Sequence, residues 1–346
     1  MRRRDFLAAG AGSLGAAAAS CSRDSRRRLN VLNWGDYIDP AVLAQFEREA
    51  GVRVRYGTFE NNEELLGKVM SGNSGWDIVF PTHNRIQPMR DLDLIAPLDG
   101  KRLPGLGNLA PAFRAPNWDP NLEWSMPYLW TTTGIAYNRR HYTEKPRSWS
   151  DLWRPAAKGK LTMLDDVDDV FGAALAKLGL PYASGDPDHL RRAQREITAQ
   201  KPLVRAYLST EARDQMVAGD VLVAQTFATT AQLAIDGNAD LIFEHPTEQF
   251  AAYCDCAAVL RESKRRELAH EFLEFLLRPE VSLQIARKIR TATPNAPALG
   301  QMPEAERTNR TLYPAEAAMS RAVWPLPLAP EAVRLRDRLW TEAKSA

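Results

Sequence analysis

The sequence is poor in the residues that build cross-links and common metal centres, with three cysteines and five histidines in 346 residues. Cys254 and Cys256 stand one residue apart, on the same side of any strand that contains them, which is poor geometry for a disulfide. With Cys21 they are still too few for a structural zinc site. The histidines, at positions 83, 141, 189, 245 and 270, fall in no HExxH spacing and read mostly as surface residues. A phosphate-binding Gly loop and a dinucleotide fingerprint are missing, and GNSGW (72–76) has Trp76 where a hydrolase elbow needs its second Gly. No window offers the roughly 20 apolar residues of a membrane-spanning helix. The formal net charge is +2, and Arg2, Arg3 and Arg4 less Asp5 already account for it, so the rest is near neutral and lacks the basic surface of a nucleic-acid binder. These absences count against metalloenzyme, nucleotide-dependent, hydrolase, membrane-spanning and nucleic-acid-binding classes. No catalytic residues and no cofactor are expected.

What is present is a globular chain, 45% hydrophobic and long enough for two cores. Its first 28 residues form an export signal and tether: a basic start, an Ala/Gly/Leu stretch, then the Arg-rich SRDSRRR. Arg3 to Leu7 resemble a twin-arginine signal, with an ordinary secretory signal as the alternative. Ala18, Ala19 and Ser20 before Cys21 resemble a lipoprotein site, which would lipidate Cys21; a plain cleavage site is the alternative, since Ala18 replaces the usual Leu.

From residue 29, strands LNVLNW, VRVRYG and WDIVF alternate with helices PAVLAQFEREA and NEELLGKVMSG, the pattern of a parallel sheet covered by helices. A second alternation runs from TTTGIAYN through KGKLTML, DDVFGAALAKLGL, DVLVAQTF and TTAQLAIDG. The strand AAYCDCAAVL, the apolar helix ELAHEFLEFLLRP and the rigid connection WPLPLAP follow. In α/β sheets ligands bind beyond the carboxyl ends of strands, where NWGDY (33–37) and PTHN (81–84) both fall. Alternation puts Tyr253 and Asp255 on one face of their strand and the two cysteines on the other, core-facing one. DDVDD (165–169) precedes a helix and holds more carboxylates than one N-cap uses. A calcium loop is the rival use, but the alternating ligands and Gly of an EF-hand are missing. Trp34 and Tyr37 on their own read better as core aromatics covering the sheet end than as ligand contacts.

The stretches NWGDYIDPAVLAQFEREAGVRVRYGTFENNEELLGKV, WDIVFPT, MPYLWTTTGIAYN, SWSDLW, LTMLDDVDDVFGAALAKLG, FLEFLLRPEV, ATPN and LYP resemble, in order, the spermidine/putrescine-binding periplasmic proteins, solute receptors of polyamine ABC transporters. The resemblance implies an α/β, two-lobed periplasmic binding protein fold of type II character, with a ligand cleft between the lobes. One lobe would comprise residues 29–133 plus 256–300 and the other 134–255 plus 301–346. It further implies a working monomer that delivers a polyamine to a membrane permease and its ATPase. Position by position it implies ligand contacts at Trp34, Asp36, Tyr37, Thr82, Asn84, Asp166, Asp169, Phe227, Tyr253, Asp255 and Thr291. Spermidine binders of that family carry aromatics where Asn84 and Thr291 stand and an amide at Pro325, and His83 and Arg85 bring cations close to Asn84, so the identity of the amine stays open. A different solute on the same fold, or a sensor role, are the alternatives. The chemistry suits the residues: carboxylates grip ammonium ends, and aromatic faces pack methylenes and attract cations. At ~1.5 to 3 kcal/mol per charged hydrogen bond and ~0.5 to 2 per cation–π contact, a handful reaches the roughly 8 kcal/mol of micromolar binding.

Overall fold

The computed structural model describes residues 27–345; the export signal and Cys21 lie outside the described residues. Strand β1 (Arg27–Trp34) leads into a helix, Pro40–Ala50, whose start is set by the Asp39 side chain accepting from the Ala41 amide and whose end is set by Gly51 in the left-handed region. Val42 and Phe46 are its buried stripe. Strand β2 (Val52–Phe59) returns parallel to β1, and after the helix Asn62–Met70 the short β3 (Ile78–Val79) adds to the other side of β1.

The chain then runs through β4 (Met126–Asn138), where Pro127 sits at a register shift between Pro127 and Leu129. In the second half, β5 (Leu161–Met163), β6 (Val204–Tyr207) and β7 (Val223–Phe227) are parallel, while β8 (Leu241–Glu244) pairs antiparallel with β4. Strand β9 (Phe250–Val259) pairs antiparallel with β4 along one stretch and with β3 at its far end, and β10 (Ala322–Val323) pairs with β9. The order β2-β1-β3-β9-β4-β7-β5-β6 therefore joins two parallel α/β halves through two long antiparallel strands.

Each half has its own core. Leu29, Val31, Phe46, Ile78, Val259 and Phe272 belong to the first, and Ile135, Trp149, Leu161, Phe171, Ile197 and Val223 to the second. A smaller cluster with Ala224, Ala231 and Phe243 covers the other face of β7. The segment expected wholly in the second lobe is divided. Met302, Leu312 and Tyr313 pack into the first core, where the Tyr313 hydroxyl accepts from the Thr293 amide at 3.3 Å, while Ala318, Ala322, Val323, Leu328 and the helix Pro330–Ser345 pack on the second. Not all the histidines are at the surface either: His83 and His270 are buried, the latter accepting from the Asp99 amide at 2.8 Å. Cys254 and Cys256 are buried and free, their sulfurs 3.8 Å apart.

Where β4 passes β8 the backbones come too close for a side chain. A Cβ at Gly134 would stand 2.5 Å from Phe243 Cζ and 2.7 Å from the Glu244 carbonyl oxygen, and a paired strand cannot retreat cheaply. Gly134→Ala is expected to cost ~1 to 3 kcal/mol of stability, read as a lowered denaturant midpoint; an unchanged midpoint would show that the strands yield.

Candidate functional site

The site is built on β9. The Pro81–Thr82 backbone runs antiparallel beside it, with the Cys256 amide donating to the Pro81 carbonyl at 2.9 Å, and this places Thr82 opposite Asp255. Asp255 accepts from the Tyr37 hydroxyl at 2.9 Å and the Thr82 hydroxyl at 3.0 Å. Each donor is itself held: the Tyr128 hydroxyl donates to the Tyr37 carbonyl at 2.8 Å, and the Asn62 amide nitrogen donates to Thr82 Oγ1 at 3.2 Å. Asp255 is 8% exposed and has no cationic partner among the described residues. Burial raises its pKa to about 6, against the lowering effect of the Tyr37 and Thr82 hydrogen bonds.

The four aspartates at the start of the helix Val167–Lys177 divide their work. Asp166 is the cap, its Oδ1 accepting from the amides of Asp168 at 2.8 Å and Asp169 at 3.2 Å. Asp168 pairs with Arg336, and Asp165 with Lys344 at 3.6 Å. Asp169 alone turns inward and is fully buried. Its Oδ1 accepts from the Tyr182 hydroxyl at 2.9 Å, while Oδ2 has no partner. Burial, then the charge of Asp166, pushes the Asp169 carboxyl well above the usual range. Asp166, expected as a ligand contact, thus spends one oxygen on the helix end.

Tyr253 lies between these carboxylates, two residues before Asp255 on the same face of β9, with its buried hydroxyl acting on the Asp169 carboxyl. Its ring centre is 6.2 Å from that of Phe227, which stands at the end of β7 across from Thr133. Trp34 is half-buried, its indole N–H donating to the Phe80 carbonyl at 2.8 Å and its ring 4.6 Å from Phe59. Asp36 sits exposed in the left-handed region (φ 51°) on the rim.

Two expected residues are placed differently. Thr291 is buried at the joint between the halves, its hydroxyl bonded to Thr229 at 2.7 Å and to the Trp130 carbonyl at 3.2 Å, so it ties elements together instead of facing the carboxylates. Asn84 is buried with its amide oxygen unpartnered, on the wall of a cavity that Tyr182 and Pro325 also line. His83 brings no cation. It is enclosed by Trp118, Tyr253 and Trp324, and burial drops its pKa to about 3, leaving the ring neutral. Arg85 pairs with Glu63 at 3.2 Å.

Tyr182, which orients Asp169, was not among the expected residues. A hint existed in Gly172, a glycine inside a helix one turn after Asp169: a Cβ there would meet the Tyr182 ring at 2.2 Å, so the ring lies flush on the helix only because that residue is Gly.

The family model for the bacterial extracellular solute-binding proteins matches residues 41–310. The spermidine/putrescine-binding periplasmic protein of Escherichia coli K12 is 33% identical over 323 residues, 93% of this chain and 92% of that protein. The putrescine/cadaverine-binding protein of Pseudomonas aeruginosa is 30% identical over 341 residues, 94% and 96% of the two chains. Among solved structures, the spermidine/putrescine ABC transporter substrate-binding protein of Streptococcus pneumoniae superposes with a TM-score of 0.84 at 32% identity, covering 92% of this chain and 99% of that one. Two α/β halves joined by long strands, buried carboxylates and aromatics gathered along β9, and these matches lead to one assignment: the chain belongs to the bacterial extracellular solute-binding proteins, two-lobed receptors of transport systems and not enzymes.

Proposed function

We propose that this receptor binds a polyamine across the cleft, one ammonium at Asp255 and another at Asp169, with Tyr37, Phe227, Tyr253 and Trp34 along the methylene chain. The observation that carries the reading is the pair of buried carboxylates with hydroxyl donors and no cation among the described residues. An unpaired buried carboxylate is costly, and an ammonium supplies both the charge and the missing hydrogen bonds. The names of the relatives, spermidine/putrescine and putrescine/cadaverine binding proteins, support the same ligand class. Asp36 on the rim and Asp166 behind Asp169 add negative potential. The receptor is exported by the twin-arginine route on the strength of Arg3 to Leu7, is held at the membrane by lipid on Cys21, works as a monomer and hands its amine to a permease driven by an ATPase.

Calorimetric titration with putrescine, cadaverine, spermidine and spermine tests the ligand class. Micromolar binding is expected, weakened at least tenfold, about 1.4 kcal/mol, by Asp255→Asn and by Asp169→Asn; no binding of any of the four would sink the reading. Because the amine needs ionised carboxylates, affinity is expected to fall about tenfold per pH unit below about 6 from Asp255 alone. An affinity flat from pH 7.5 to 5 would remove Asp255 from the site.

Stability without ligand runs the other way. The raised pKa means that the folded chain holds this proton more tightly than the unfolded chain, so the contribution of Asp255 improves as pH falls from about 6 towards the ordinary carboxylate range. Asp255→Asn is therefore expected to stabilise the ligand-free protein at pH 7.5, with the gain shrinking towards pH 4 in paired thermal melts. A destabilised variant at pH 7.5 would make Asp255 a structural residue.

A further inference from the structure

The helix Ala228–Gly237 starts at the residue after Phe227, so the placement of the helix also places that ring. Ala228, Ala231 and Ala234 pack it into the second lobe beside Ala224 and Phe243. Another stripe of the same helix, Thr229, Gln232 and Asp236 at i, i+3 and i+7, meets the first lobe instead. The Thr229 hydroxyl is bonded to that of Thr291 at 2.7 Å. The Gln232 amide oxygen accepts from the Asn309 side chain at 2.7 Å, and Asn309 is tied to the first core, its carbonyl accepting from the Tyr313 amide at 2.8 Å. Asp236 accepts from Arg290 twice, from Nε at 2.6 Å and from Nη2 at 2.8 Å, and from Gln232 at 2.8 Å. Arg290 ends the helix Pro279–Ile289 in the left-handed region (φ 61°), where Gly is usual. A side chain is kept there against the preference of the backbone, and it serves the pair between the lobes.

Both lobes line one cavity, Asn84 and Arg85 from the first and Phe171 and Tyr182 from the second, so the lobes stand together in this structure. Motion about the crossing strands parts two groups by more, the further they lie from those strands. Thr229 is close to that axis, since its hydroxyl also donates to Thr131 of β4 at 3.2 Å. Asp236 lies two turns on, roughly 10 Å along the helix, where the travel is larger. Every one of these three contacts is polar, so each group exchanges a protein partner for water on opening at small net cost, which suits a seam that must open and close. The Arg290 and Asp236 side chains are 32% and 39% exposed, and a lone pair so exposed would add little. The two-bonded fork and the Gln232 bond beside it make this one a fixed geometry.

We propose that Arg290 and Asp236 are positioning residues of the receptor, an interlobe latch that holds the closed form and sets how slowly the amine leaves without touching it. The latch rests on the amine reading of the cleft.

The test is titration and stopped-flow release of putrescine, cadaverine, spermidine and spermine on the full chain, its Arg290→Met and Asp236→Asn variants and the double variant. Each single variant is expected to release bound amine at least about threefold faster with an unchanged association rate. The double variant is expected to be no faster than the singles, because both remove the same pair. Arg290→Lys, which keeps the charge and loses the fork, falls between wild type and Arg290→Met. The gap between wild type and Arg290→Met narrows as salt is raised. Melting midpoints without amine stay at the wild-type value, because the latch is open in that state. Unchanged release in both single variants, additive losses in the double variant, or an amine-free midpoint lowered together with affinity would overturn the latch. A wild-type chain that binds none of the four amines would sink the amine reading and the latch with it, whereas wild-type binding that the variants share in full sinks the latch alone.

Discussion

The antiparallel pairing of β4 with β9 is the constraint on which the molecule depends. Residues Met126 to Thr132 lie against Ala257 to Ala252, and this ladder is the shared edge of both parallel halves. Every residue of β9 is buried, so its alternation has no solvent face to absorb an error of register. A slip by one position would exchange Tyr253 and Asp255 for Cys254 and Cys256, putting thiols in the cleft and a carboxylate in the first core. The cysteines serve as small apolar residues, and their closeness follows from the strand repeat and not from any bond between them.

Around that ladder the chain arranges two different answers to the problem of a buried carboxylate. Asp255 is surrounded by hydroxyls that are themselves tied down by Tyr128 and Asn62, so its donors cannot swing away. Asp169 is held by the Tyr182 hydroxyl, and the hydroxyls of Tyr253 and Thr133 also oppose the effect of burial on it. Of the neighbouring aspartates, Asp168 and Asp165 are paired with Arg336 and Lys344, while Asp166 caps the helix and its charge acts on Asp169.

Much of this was legible in the sequence because its elements carry strong local patterns. The strands of the first half, the helix Pro40–Ala50 and the face alternation of β9 follow from apolar periodicity alone. The edge strands β6, β8 and β10 were not, being two to four residues long and shaped by their partners. The helix Pro187–Gln200 is mostly polar, with only Leu190, Ala193, Ile197 and Gln200 buried, so its stripe is thin. Which aspartate of 165–169 caps and which faces inward could not be read locally, because Arg336 and Tyr182 decide it from distant parts of the chain. The neutrality of His83 was equally hidden, since it follows from three aromatic rings that converge only in the fold.

The division of the C-terminal segment bears on how the halves can move. The chain passes between the cores three times, through β4, through β9 and again between Tyr313 in the first core and Ala332 in the second, where β10 is stitched to β9. A single crossing would act as a swivel, and two bonded strands as a flexible ribbon; a third strand on that ribbon stiffens it against twist and leaves bending as the soft coordinate. With one soft coordinate, opening becomes a scalar quantity, set as much by the Thr131, Thr229 and Thr291 hydroxyls packed at the joint as by anything that touches the solute. Sequence drift at those hydroxyls can then retune how tightly the receptor holds its cargo while every cleft residue stays the same.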